Sequence, residues 1–265
     1  MGWWIAGSVL LLVSVILQIV RHFQQKKLGV MQSTETATVA MLTSLADSMS
    51  EGVGKGNLRY NTEVKGNVVC DQPLTSELAG VTCVYYRMSV QRQFEEHYTE
   101  RDSSGRPVQK TRRRTETIAS NTRSVPFQVD DGSGRITVNP EDAEVIAEKV
   151  LSRFEPGANP GQGVFRLGSF SFDFSLAGRG ANTLGYLFEE SLIPLGAPLY
   201  VLGEAADPNG RLEIRRPEDG GKFIVSVKSE EELQRQMRSK MRGLLIAALI
   251  TGVLGIIFVL LGALR

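Results

Sequence analysis

The chain has 265 residues, enough for one or two domains, and its 30 lysines and arginines almost balance its 29 aspartates and glutamates. A net charge of +1 argues against a dedicated nucleic-acid binder, because such proteins carry an excess of basic side chains to neutralise phosphates. The two cysteines and two histidines form neither a C-x-x-C pair nor a zinc set, so we predict no metal and no other cofactor. Cys70 and Cys83 are interpreted as buried free thiols, and a disulfide between them is the open alternative.

Both ends of the chain are apolar. Residues 3–20 form a run of 18 positions without a formal charge, and residues 243–264 form another of 22. As helices they would be roughly 27 and 33 Å long, close to the thickness of about 30 Å of a hydrocarbon core. The alternative for the first run is a cleaved signal peptide, but it lacks a basic segment before it and an A-x-A-like site after it. We therefore predict a transmembrane helix at each end.

Basic residues flank both apolar runs on the side of the intervening segment. They are Arg21, Lys26, Lys27, Arg235, Arg238, Lys240 and Arg242. The positive-inside rule then places the soluble domain in the cytoplasm and both termini across the membrane. Alternatively, the same side chains serve as anchors for anionic headgroups. In either case the membrane is a predicted partner.

An amphipathic helix and a linker are predicted over residues 33–51. Apolar side chains recur there at spacings of three and four, and Ser33 or Thr34 is expected to cap the helix. From residue 58 to residue 228 the pattern changes to short alternating strands bounded by turn residues. The predicted fold class is therefore α+β, with a mainly antiparallel β soluble domain flanked by two transmembrane helices.

One predicted hairpin carries a basic run, Arg112 to Arg114. Residues 82–98 alternate between apolar and polar, and Ser104-Gly105 is a turn signal. A reversal there without a bulge places Glu95 opposite Arg114 and Glu96 opposite Arg113, so the basic run is interpreted as one side of an ion-pair ladder. The alternative is a basic patch for headgroups or for an acidic partner.

The later part of the chain contains further predicted elements. Residues 140–152 are predicted as a short helix that begins at a proline, and residues 184–205 as two strands around a Pro-Leu-Gly turn. The segments RLEIRR and KFIVSVK are predicted as a further pair of strands. A connecting helix is predicted over residues 229–242, with a capping box at its start, and it continues into the second membrane helix without a break.

The sequence carries no recognisable catalytic signature. It contains no G-x-S-x-G elbow, no H-E-x-x-H motif and no convincing phosphate loop, so no catalytic or cofactor-binding residue is predicted. The second apolar run carries small side chains suited to close helix packing, namely Gly243, Ala247, Thr251, Gly252 and Gly255. They would face either the first membrane helix or a second copy of the chain.

Three segments resemble a known family. They are VKGNVVCDQPLTSELAGVTCVYYRMSVQR (64–92), LFEESLIPLGAPLYVLGEA (187–205) and KFIVSVKSEEEL (222–233). Together with the flanking apolar runs, they resemble the GIDE domain, also called BAM ("beside a membrane"), of RING-type E3 ubiquitin ligases in organelle outer membranes. In the ligases that this sequence resembles, a RING domain follows the second membrane helix and carries the ligase activity.

This sequence ends at Arg265 and contains no RING cysteines, so the resemblance implies an interaction domain and a bacterial relative, and no ligase activity is expected. In the organelle ligases the domain faces an intermembrane space, which leaves a periplasmic or intermembrane location as the alternative. The leading hypothesis is a membrane-anchored, non-catalytic protein-interaction domain in membrane-protein quality control or assembly, whose protein partner is not identified. The alternatives are an enzyme with an unrecognised carboxylate or His97 site and a structural homo-oligomer.

Overall fold

The computed structural model describes residues 2–156, 164–173, 182–208 and 210–263. The helices are α1 (Gly2–Ser33), α2 (Val39–Val53) and α3 (Glu230–Ala263). The strands are β1 (Arg59–Val69), β2 (Leu74–Thr75), β3 (Thr82–Arg101), β4 (Pro107–Ser124), β5 (Phe127–Asp130), β6 (Arg135–Val138), β7 (Glu144–Ile146), β8 (Glu148–Pro156), β9 (Val164–Leu167), β10 (Phe170–Asp173), β11 (Asn182–Pro194), β12 (Pro198–Ala206), β13 (Glu213–Arg215) and β14 (Ile224–Ser226). The predicted fold class is confirmed: a β-rich domain lies between two long apolar helices.

Five strands close into a small barrel. Its order is β1-β5-β6-β13-β12, and β12 pairs again with β1 along nine residue pairs from Arg59↔Ala206 to Asn67↔Pro198. Gly66 allows β5 to approach, because a Cβ at this position would lie 2.5 Å from the backbone oxygen of Asp130. The barrel interior is filled by branched apolar side chains, namely Val64, Val129, Ile136, Val138, Val201 and Ile214.

Helix α2 covers this core. Leu42 and Val39 are buried in it, and Asp131 in the β5–β6 turn accepts a hydrogen bond from the backbone N–H of Val39 at 2.8 Å. The helix begins at Val39, with the Thr38 hydroxyl accepting from the backbone N–H of Met41. The predicted start at Ser33 or Thr34 is wrong, because α1 continues unbroken as far as Ser33. Nothing in residues 21–33 interrupts a helix, and Leu28 and Met31 are buried on one side of it.

The second sheet forms a half-barrel beside the first. β3 pairs with β4 along one edge and with β11 along the other, and β8 follows on the far side of β11. Its core contains Tyr86, Met88, Val90, Phe188 and Leu192, all less than 2% exposed. The predicted alternation holds from residue 86 to residue 90, where positions 86, 88 and 90 are buried and positions 87 and 89 are more exposed. It fails at Tyr85, which is 5% exposed, because Val84 and Tyr85 both belong to the core of the barrel.

The predicted helix over residues 140–152 is wrong. Residues 140–143 form a turn in which Asp142 adopts a positive φ of 63°, and two strands, β7 and β8, follow. β7 pairs with β14 in parallel and β8 pairs with β11, so tertiary pairing overrides a helical pattern that contains Val145, Ile146 and Val150.

Two details of strand pairing also differ from prediction. The turn after β3 has five residues, 102–106, so Glu95 lies opposite Arg113 and Glu96 opposite Arg112, one position from the predicted register. The strands in RLEIRR and KFIVSVK, β13 and β14, do not pair with each other. Both lie along the same edge of β12, one after the other, because β12 is long enough to accept each in turn.

Candidate functional site: a helical neck and a projecting arm

The two apolar helices pack against each other in opposite directions. The Ser14 hydroxyl donates a hydrogen bond of 2.8 Å to the backbone oxygen of Ala248, and Trp3 and Phe258 meet edge to face with ring centroids 5.3 Å apart. Both helices are long and apolar enough to cross a membrane, and most of the apolar span of each is exposed at the surface. Residue 264, the last of the predicted second span, lies outside the described residues.

The five small residues predicted for helix packing have different surroundings. A Cβ on Gly255 would lie 2.9 Å from Leu11, and one on Gly252 would lie 3.1 Å from the Ser14 hydroxyl, so both glycines face α1. Gly243 has no atom within 4 Å of such a Cβ. The other two, Ala247 and Thr251, are half-buried, and the Thr251 hydroxyl donates to the Ala247 backbone oxygen of its own helix.

Beyond the apolar spans, both helices continue as a two-helix neck, here residues 21–33 of α1 and 230–242 of α3. Side chains of the neck and of the outer wall of the barrel form one apolar cluster: Leu28, Met31, Leu233, Met237, Tyr200, Leu202 and Ile224. Met31 is 1% exposed and Ile224 is fully buried. The barrel is therefore packed directly onto the two helices.

A buried carboxylate reinforces this junction. Glu63 on β1 is 2% exposed and accepts a hydrogen bond of 2.8 Å from the Tyr200 hydroxyl on β12 and another from the Thr36 hydroxyl. The Lys65 ammonium lies 3.3 Å from Glu63 and 2.8 Å from Glu230, the first residue of α3. These contacts connect the α1–α2 connection, the barrel and the start of α3 in one network.

The protonation states of this network follow from its surroundings. Burial, followed by the hydrogen bond to Glu63 and its negative charge, raises the pKa of the Tyr200 phenol, so it remains a hydrogen-bond donor. Burial alone would lower the pKa of Lys65, but its hydrogen bond to Glu230 and the charge of Glu63 raise it. At neutral pH the lysine is therefore charged and the phenol neutral.

The half-barrel extends into an arm, here residues 96–112, formed by the ends of β3 and β4. Among the described residues, β3 pairs with β11 as far as Glu95, whereas β3 and β4 pair to Arg101↔Pro107. Six further residues per strand extend the arm by roughly 20 Å. Ion pairs run along it: Arg112 and Arg114 to Glu96 at 2.6 and 2.7 Å, and Lys110 to Glu100 at 2.7 Å.

The reactive side chains do not come together. Cys83 is fully buried, and burial followed by the charge of Glu190 raises the pKa of its thiol to about 11, whereas Cys70 is half-buried beside Pro126. His97 lies on the arm and contacts Thr111 at 2.9 Å. Within the described ranges, no group of three or more metal-ligating side chains is found.

A family comparison decides the relationship. The sequence profile of the GIDE family, described as E3 Ubiquitin ligase, matches residues 95–262, which include the whole arm, the half-barrel strands β8 and β11, and nearly all of α3. The chain belongs to the GIDE family. The match covers more than half of the 265 residues, and the resemblance seen in the sequence is confirmed.

Two curated relatives of this GIDE protein come from Arabidopsis thaliana. One is named E3 ubiquitin-protein ligase SPL1 and is 28% identical over 141 residues, 49% of this chain and 38% of the relative. The other is named E3 ubiquitin-protein ligase SP1 and is 30% identical over 178 residues, 66% of this chain and 47% of the relative. The matched region thus spans less than half of each relative. No solved structure matches the chain. Both relatives are plant proteins, and the bacterial origin stays a prediction.

Sequence reasoning missed several buried acidic residues in this GIDE protein. Glu190 is fully buried and accepts hydrogen bonds from the backbone N–H groups of Leu78 and Ala79 at 3.0 and 2.7 Å. Asp207 is also buried, and its carboxylate accepts a hydrogen bond from the backbone N–H of Gly56. Glu63 belongs to the same class. Each lies in an alternating strand or a turn, where an acidic side chain is ordinarily solvent-exposed, so only the three-dimensional pairing reveals its burial.

Proposed function

We propose that this GIDE protein is a membrane-anchored, non-catalytic protein-interaction module that acts in membrane-protein quality control or assembly. The observation that carries the proposal is the neck, in which Met31 of α1, Met237 of α3 and Tyr200 of the barrel share one buried cluster. Packing of this kind fixes the domain relative to both apolar helices. A domain fixed in this way holds its interaction surface at a constant height above the bilayer.

The family relationship supports a role connected with ubiquitin-type ligases. In this proposal the 265 residues position or recognise a protein, and they do not themselves carry out ubiquitin transfer. The support is the composition, because two cysteines and two histidines supply few of the thiolate and imidazole ligands on which a zinc-bound RING depends.

We also propose that the β domain lies on the cytoplasmic face. The support is charge: the neck carries Arg21, Lys26 and Lys27 on α1 and four more cations between residues 235 and 242 of α3, while the three acidic residues of α3 lie at its far end, at 230–232. Labelling of Cys70 with a membrane-impermeant thiol reagent tests this orientation. Labelling that requires opened membranes is the expected result, and labelling in intact cells would contradict it.

Purification from native membranes tests the interaction function. After alkaline carbonate extraction, the chain is expected to stay in the membrane pellet. The Tyr200→Phe variant, which lacks one hydrogen bond at the neck, is also expected to stay in the pellet. In mild detergent, at least one protein is expected to copurify with the chain in constant ratio across replicates. Release by carbonate would refute the anchoring. The absence of any reproducible partner would refute the interaction role.

A further inference from the structure

Among the described residues, the outer edge of β4 is long and carries no neighbouring strand. Strand β4 has 18 residues, and within the described parts of the chain β3 is the strand that pairs with it. Every residue from Pro107 to Thr117 is exposed. About half of the residues of an edge strand direct their N–H and C=O groups away from the sheet, so this edge offers a row of backbone donors and acceptors.

The charge of the hairpin is concentrated on this edge strand. β4 contains five basic residues, Lys110, Arg112, Arg113, Arg114 and Arg123, and one acidic residue, Glu116. β3, its inner neighbour, contains three basic and three acidic residues, Arg87, Arg92, Arg101, Glu95, Glu96 and Glu100. The edge strand therefore carries a net charge of +4, from five cations minus one anion, and the inner strand is neutral.

The inner side of β4 shows which kind of strand suits it. There, acidic side chains of β3 lie opposite the basic run, with Glu96 between Arg112 and Arg114 and Glu100 against Lys110. Arg113 makes the weakest ion pair of the basic run, because its side chain is 80% exposed and its Nε lies 3.8 Å from the Glu95 carboxylate. Exposed ion pairs of this kind are weak, so their side chains change partners readily.

We infer that the outer edge of β4 binds an extended acidic segment of a partner protein by adding it to the sheet as a further strand. This inference rests on the proposed interaction function and gives that function a binding mode. Backbone hydrogen bonds along the edge supply affinity, and cross-strand pairs with Arg112, Arg113 and Arg114 select acidic sequences. A second copy of β4 does not fit, because antiparallel self-pairing would place two basic runs against each other.

Defined peptides test the inference on the full-length protein in detergent. The probe is a fluorescent peptide of about nine residues that alternates glutamate with threonine or valine, a length that matches a typical strand. The controls are the same peptide with lysine in place of glutamate and the acidic peptide with N-methylated backbone amides. Fluorescence anisotropy is expected to show binding of the acidic peptide, weaker binding of the N-methylated one and none of the lysine peptide.

Charge variants locate the binding site. Arg112→Gln combined with Arg113→Gln is expected to weaken acidic-peptide binding roughly 2- to 30-fold, from the loss of two cross-strand pairs. Arg153→Gln on β8, at the opposite edge of the same sheet, is the matched control and is expected to leave binding unchanged. Unaltered circular dichroism of both variants establishes that the sheet remains folded.

Several results would overturn the inference: equal binding of the N-methylated peptide, equal loss with Arg153→Gln, or no binding of the acidic peptide. Binding of anionic phospholipid vesicles that the Arg112 and Arg113 changes abolish, without peptide binding, would assign the edge to the membrane surface instead. If a copurifying protein persists unchanged in the double variant, the interaction function stands and the β4 edge is excluded. If no protein copurifies with the unaltered chain, the interaction function itself fails.

Discussion

Replacement of Tyr200 by phenylalanine tests whether the buried Glu63 network fastens the barrel to the helices. The change removes one hydroxyl and keeps the ring in the apolar cluster that also contains Met31 and Leu233. It leaves the Glu63 carboxylate, which is 2% exposed, without the donor that lies 2.8 Å from Oε2. The packing of the neck is otherwise untouched, so the effect reports the hydrogen bond.

The expected loss follows from the type of bond. A hydrogen bond to a charged group contributes about 1.5–3 kcal/mol, and the remaining contacts of Glu63, from Thr36 and the half-exposed Lys65, do not replace it. For a domain of this size, 1 kcal/mol shifts the unfolding midpoint by about 2–4 °C, so Tyr200→Phe is expected to lower it by roughly 3–12 °C.

Thermal unfolding in mild detergent, followed by circular dichroism, measures this shift. Tyr85→Phe is the matched control, because Tyr85 is also buried, at 5% exposed, and its hydroxyl has no hydrogen-bond partner among the described residues. In a Glu63→Gln background the Tyr200→Phe loss is expected to fall to about 0.5–1.5 kcal/mol, the value for a neutral pair. Equal midpoints for Tyr200→Phe and Tyr85→Phe would refute the role of the network.

Three further predictions concern packing and protonation. Gly255→Leu is expected to force α1 and α3 apart and lower the unfolding midpoint in detergent, whereas Gly243→Leu, in open space, leaves it unchanged; equal effects would contradict the helix contact. Gly66→Ala is expected to destabilise the domain by at least 1 kcal/mol in thermal melts, since its methyl group meets a backbone oxygen, and a neutral result would mean that β5 adjusts freely. Because burial raises the folded pKa of Cys83 from 9.0 to about 11, its contribution to stability is complete below pH 9 and is lost as the pH rises through about 11. Cys83→Ala should therefore flatten the decline of the midpoint between pH 9 and 11, and an unchanged slope would exclude the thiol as its source.

The elements that the sequence predicts correctly are those with a strong local signal. The apolar run 243–264 and the alternating strand that begins near Thr82 each carry a hydrophobic period over many residues. The segment 140–152 fails because its apolar spacing suits a helix while its partners are β14 and β11, which are distant in the chain. The spacing of apolar residues within one segment does not indicate pairing with strands that are distant in the chain.

The neck and the arm were predictable to different degrees. The order of acidic and basic residues along the hairpin predicts that they face each other across the two strands. Their register depends on the turn, which has five residues and is centred on residue 104. The Ser104-Gly105 dipeptide alone centres the turn between residues 104 and 105, which shifts every pair by one position. The burial of Glu63 has no sequence signal, because it results from three elements meeting: β1, β12 and the segment that contains Thr36.

Site-specific photocrosslinking in native membranes tests the central claim, that the β domain binds a protein. A photoreactive residue is placed singly at Val81, Val108, Val150 or Leu195, four exposed apolar positions on different parts of the domain. At least one position is expected to yield a discrete protein adduct of higher mass after irradiation, and the same position should lose it when an excess of unlabelled chain competes. If all four positions yield only the uncrosslinked chain, the domain does not serve as an interaction module.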